Sequence, residues 1–189
     1  MKQTLPLTLT AFLAACSATP DTKKQTAAPT ATRTPAPSPI QPPAPGTPTG
    51  LPDDRTPVSE APFAKTSAQG AANVVQTYFA LIEAAKYAEA RALWSDGGKA
   101  SGMTPEALAA SLGRYTEYHA QIGSPGAIKG AAGSLYVDVP AVAYGRLKTG
   151  EPFNLKGPIT LRRCNDVPGC TAAQREWRIA RSELKPVPK

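Results

Sequence analysis

Residues 74–94 read VVQTYFALIEAAKYAEARALW, and the spacing of their apolar positions decides the fold class. Val74, Val75, Tyr78, Ile82 and Ala85, then Ala88 or Ala92, recur at intervals of three and four, which is one face of an α-helix. Helix formers carry the pattern to Trp94, a break is expected near Tyr87, and Ser95-Asp96-Gly97-Gly98 stops the run. A second short helix is expected over TPEALAASLG, with Thr104 as its cap, Pro105 at its first position and Gly113 at its end. Beyond it the period drops to two. YTEYHAQI is a candidate first strand, and SLYVDVPAVAY sets Leu135, Val137 and Val139 against Tyr136, Asp138 and Pro140. Pro140 argues for an edge position or a bulge. GRLKTGEPF contains a turn, GPITLRRC is the next strand, and REWRIARSEL is the last, with Trp177 and Ile179 on one side. Helices first and antiparallel strands after them give an α+β fold, with N-terminal helices packed on a curved antiparallel sheet.

Working outward, the chain has 189 residues, 21 of them proline, so a proline-rich segment accompanies one ordinary domain. Ser17 to Pro62 holds twelve prolines among 46 residues and no aromatic, too little apolar surface to offset chain entropy. It is expected to be a disordered spacer. Before it stands MKQTLPLTLTAFLAAC, in which Lys2 is followed by an apolar run of about eleven residues, short of the roughly twenty a spanning helix needs. The ending Leu13-Ala14-Ala15-Cys16 resembles the lipobox of bacterial lipoproteins. That resemblance implies a signal peptide over residues 1–15 and a diacylated Cys16, since two or more acyl chains anchor stably where one does not. Residues 16–62 would form the lipid-anchored linker and 63–189 the globular domain. Ser17 follows Cys16 where an aspartate would favour the inner membrane, so the resemblance implies the outer membrane of a Gram-negative bacterium, facing the periplasm.

The order of amphipathic helix, shorter helix and antiparallel strands over residues 70–184 resembles the nuclear transport factor two-like superfamily. That superfamily includes isomerases, dehydratases and non-catalytic binding domains, and it often dimerises through an open sheet face, which implies a homodimer. Its active members use a pocket between sheet and helices, where Asp138, Tyr115, Tyr118, Tyr144 and His119 are the candidates here. Asp138 alternates with Val137 and Val139, so it faces away from an interior that those valines fill. His119 has a near-neutral side chain but no recognisable carboxylate partner. No position matches the superfamily's catalytic residues.

Cys164 and Cys170 flank Asn-Asp-Val-Pro-Gly, a turn in an exported and therefore oxidising setting, so a local disulfide is expected. A redox-active pair is the sharper alternative, although the spacing is not Cys-x-x-Cys. Thr171 to Gln174 matches a capping box. Residues 146–189 carry ten Lys/Arg against four Asp/Glu, and Arg162, Arg163, Arg175, Arg178 and Arg181 form a candidate patch for an anionic envelope component. Nucleic acid does not fit an exported lipoprotein. One histidine and three cysteines exclude a multi-histidine or four-cysteine metal site, and no cofactor is expected. The functional expectation is a lipid-anchored envelope protein presenting a non-catalytic binding or scaffolding domain. The alternative is an isomerase or hydrolyase acting on a small hydrophobic substrate.

Overall fold

The computed structural model describes residues 37–53, 62–165 and 167–188. In it the long helical stretch divides into α1 (Ala68–Glu83) and α2 (Tyr87–Ala92). Ser67 opens α1, its hydroxyl accepting from the Gly70 N–H at 3.1 Å. The break falls where Ala85 takes a left-handed conformation at φ 56°. Lys86 N–H then donates to Leu81 O and Ala85 N–H to Ile82 O, a Schellman ending built on alanine instead of glycine. Ala85 thus belongs to the break and not to the buried face. That face is made by Ala71, Val75, Tyr78, Phe79 and Ile82. After a single 3₁₀ turn at Lys99–Ser101 comes α3 (Pro105–Leu112), capped by Thr104, whose hydroxyl accepts from Ala107 N–H at 3.2 Å.

Six antiparallel strands follow: β1 (Tyr115–Ile122), β2 (Lys129–Ala131), β3 (Ser134–Leu147), β4 (Pro152–Cys164), β5 (Arg178–Ser182) and β6 (Lys185–Pro186). Their order is β1-β3-β4-β5, with β2 also beside β3 and β6 also beside β4. The fold is α+β. Its spine is the β3–β4 hairpin, paired from Ser134 opposite Cys164 to Arg146 opposite Pro152. Val137, Val139, Ala141 and Ala143 of β3, with Ile159 and Leu161 of β4 and Ile179 of β5, form the face that α1 covers. Each fully buried Val, Ile or Leu there stabilises by about 1.5–3 kcal/mol, and a one-residue slip would turn the set to the other face.

Pro140 corrects an expectation. It lies in β3, between strands on both sides, and not at a sheet edge. It is tolerated because it and its register partner Pro158 form a non-hydrogen-bonded pair, so neither proline removes a bond from the central ladder. Pro140 O accepts from Gly123 just beyond the end of β1, and Pro158 O accepts from Glu183 in the gap between β5 and β6. The missing N–H of each proline therefore faces a gap in the flanking strands. Gly145 is required for a different reason. At φ 152° it pairs with Tyr118, just beside the register shift between Tyr115 and Glu117, and a Cβ there would strike the Glu117 carbonyl and the Phe153 ring.

Residues from Ser38 onward cluster as one compact unit. Gly46 N–H donates to Leu51 O and Gly50 N–H to Thr47 O, which folds residues 44–51 into turns. A proline-rich backbone offers carbonyls with few N–H groups to satisfy them, and two sheet cations serve. Arg146 donates to Ser38 O at 3.1 Å and Lys156 to Pro48 O at 3.2 Å. Both cations lie on the sheet face away from α1, where Val142, the register partner of Lys156, is fully buried. Residues 38–53 thus act as a strap across that face.

Candidate functional site

The alternation of β4 generates the site. Ile159 and Leu161 point into the core, and Arg163 shares their side, so a guanidinium enters one end of an apolar interior. Arg163 is only 8% exposed. Its guanidinium lies 5.6 Å over the Trp177 ring, and Nη1 donates to the Arg175 carbonyl at 3.3 Å. Its Nε finds no acceptor. An unpaired buried donor costs about 1–3 kcal/mol, more when charged, so this atom is a local liability to stability.

Around Arg163 opens a cavity of about 440 Å³. Trp94, Ser95, Asp96 and Gly97 supply one wall, from the turn that ends the α2 segment. Thr171, Gln174 and Glu176 supply another, from the connection after the cysteines. Arg162 and Arg178, opposite each other in the β4–β5 register, complete the lining. Arg162 Nε donates to Ser134 Oγ at 3.1 Å, and Arg178 Nη1 to Ala92 O at 3.2 Å. Among the described residues no ion pair joins Asp96 or Glu176 to these three arginines. The indole N–H of Trp94 also makes no hydrogen bond, though it lies close enough to oppose the rise that burial imposes on the Tyr78 hydroxyl.

Cys164 and Cys170 lie at disulfide distance, with Cα atoms 6.3 Å apart. Immediately after them Gln174 Oε1 accepts from Thr171 N–H at 2.9 Å, while Gln174 N–H donates back to the Thr171 hydroxyl at 3.3 Å. This reciprocal capping box starts the 3₁₀ turn Ala173–Arg175. The close cysteine pair and the box flank the loop whose carbonyl holds Arg163.

The five-arginine patch is divided by the fold. Arg162, Arg163 and Arg178 line the cavity, and Arg175 contributes its carbonyl. Arg181 belongs to a separate network: it pairs with Glu183 at 2.9 Å and donates to Thr160, whose hydroxyl donates to Asp138 at 2.6 Å. Asp138 therefore sits on the face opposite Val137 and Val139, half exposed, with Lys129 at 4.0 Å.

His119 and Asp138 share no site. The register partner of His119 is Tyr144, six residues along β3 from Asp138, roughly 20 Å. The structure does give His119 a carboxylate: Glu83 Oε1 stands 3.3 Å from Nδ1, although both side chains are nearly half exposed. Burial, then the Glu83 carboxylate, raises Tyr144. Tyr118, partly buried, stacks on Phe79 at 6.3 Å against the core. Burial first, then the neighbouring Tyr78 and Tyr115 hydroxyls, drives its phenol far above the usual range, so it stays protonated and is no base. Beside it, and lined also by Glu83 and Tyr115, is a hollow of only about 120 Å³.

The role of Arg163 was missed when the arginines were read as one patch. Its signal is in the sequence: a period of two that puts Leu161 inward puts Arg163 inward as well. Glu83 gave no such signal, because its meeting with His119 depends on how α1 lies beside β1. Cys16 and the lipobox lie outside the described residues. Among those described, no helix is long and apolar enough to cross a membrane, and no group of His, Cys, Asp and Glu could hold a metal. Comparison with known proteins finds no matching family model, curated protein or solved structure.

Proposed function

We propose that this chain is an exported lipoprotein, anchored through Cys16, that presents a non-catalytic binding or scaffolding domain of the nuclear transport factor two-like type. The observation that carries the binding reading is the filled interior. Where an enzyme of that type would hold substrate, between helices and sheet, Tyr78, Phe79, Val137, Val139 and Ile159 pack against one another. The large cavity instead lies at the end of the interior, among arginines. Support for export comes from Leu13-Ala14-Ala15-Cys16 and from a cysteine pair suited to an oxidising compartment.

Glu83 beside His119 favours a second reading, an isomerase or hydrolyase, because it supplies an acid–base pair at one edge of the sheet. Its half-exposed groups and the narrow hollow nearby leave little room to exclude water from a substrate. The test has two parts. Cys16→Ser is expected to move the protein from the membrane to the soluble fraction, and retention in the membrane overturns the anchor. Native mass spectrometry of protein recovered from the periplasmic face reads the bound state. A co-purifying apolar molecule lost in His119→Ala would replace the binding reading with the enzyme.

A further inference from the structure

We infer that the cavity around Arg163 is a binding site for a small molecule bearing a terminal oxyanion, a carboxylate or a phosphate. This deepens the binding reading above and rests on it. Three observations converge. Arg163 is buried over Trp177, and its acceptor among the described residues is a neutral carbonyl, that of Arg175. Arg162 and Arg178 also line the cavity, each hydrogen-bonded to a neutral oxygen and in no ion pair among the described residues. Finally, about 440 Å³ is the size of a small-molecule site and exceeds a water or a bare ion.

The geometry also sets the orientation. Arg163 is held from below by Trp177 and from the side by the Arg175 carbonyl, so its planar fork is preorganised. Carboxylate and phosphate oxygens match that fork and accept charge-assisted bonds from it. Trp94 adds an apolar wall. Asp96 and Glu176 also line the space, so the rest of the ligand is neutral or cationic, and a polyanion is disfavoured. The disulfide loop and the Thr171–Gln174 box hold the opposing wall.

The chain has two tryptophans, of which Trp94 lines the cavity and Trp177 lies beneath Arg163, so intrinsic fluorescence of the full-length protein is a direct probe. Titration with butyrate and, separately, inorganic phosphate is expected to give a saturable change for at least one, weakening as sodium chloride is raised. The responding anion identifies the oxyanion class. Arg163→Gln and Arg178→Gln, each checked for folding by circular dichroism, should weaken it about tenfold or more. Arg181→Gln, on the separate network, should leave it unchanged. Absence of saturation with both anions, wild-type affinity in the folded Arg178→Gln protein, or equal loss in Arg181→Gln would overturn the site. A silent titration in a protein that Cys16→Ser still releases from the membrane would sink the site and leave the tethered-domain reading standing.

Discussion

The two ends of the helix–sheet interior are built from similar aromatic material and reach opposite outcomes. At one end Phe79, Tyr118, Phe153 and Tyr115 meet with ring centroids 4.4–6.3 Å apart and leave only a narrow hollow. At the other, Trp94 and Trp177 flank Arg163, and a cavity remains. Uncharged rings can tile one another edge to face until no space is left. A guanidinium cannot be tiled over, because every N–H still needs an acceptor. One inward arginine in β4 thus separates a sealed end from an open one.

The sharpest way to break the comparison is Phe79→Ala. It should cost about 3–5 kcal/mol in urea unfolding, because the sealed end has no spare room to relax. A loss under 1 kcal/mol would mean that this end is not close-packed. Removing the cross-link with Cys164→Ser and Cys170→Ser should cost about 2 kcal/mol, the chain-entropy value for so short a loop. It should also loosen the open end alone, read as faster amide exchange over residues 171–176 with α1 unchanged. Uniform loosening would contradict two separable ends.

A third test uses pH. The Tyr118 phenol is raised by burial, so above about pH 10 the unfolded chain gives up this proton while the folded chain keeps it. The unfolded state then binds fewer protons, and stability falls as pH rises beyond that point. Tyr118→Phe should flatten the alkaline loss. An unchanged alkaline profile would show that the sealed end is wetter than its packing implies. The smallest effect belongs to the joint between α1 and α2. Ala85→Gly should stabilise by about 0.5–1 kcal/mol, since glycine takes the left-handed conformation without the Cβ penalty. A destabilised variant would mean that Ala85 has packing worth more than its strain.

Much of the fold is legible in the residues because local rules govern it. Ser67 and Thr104 cap helices where short polar side chains precede apolar runs, and the Thr171–Gln174 box closes as its spacing requires. Val137 and Val139 share one face and Asp138 takes the other, since alternation is fixed by the pleat. Features that need distant partners were not legible. Pro140 sits inside the sheet only because its donor side faces a gap between the flanking strands. Glu83 and His119 are 36 residues apart and meet through the packing of α1 on β1. The strap is the clearest case. Residues 38–53 have the composition of a spacer, yet their carbonyls are held by Arg146 and Lys156, about a hundred residues away.

By itself the sequence determined the α+β order, the caps, the strand faces and the pairing range of Cys164 with Cys170, all of which depend on neighbours a few positions away. Only the tertiary structure decided that proline-rich chain would lie on the sheet, and which of five arginines would be buried without a full set of acceptors. Those outcomes depend on surfaces brought together from across the chain, and a charge acquires its meaning only when the groups that desolvate it are in place.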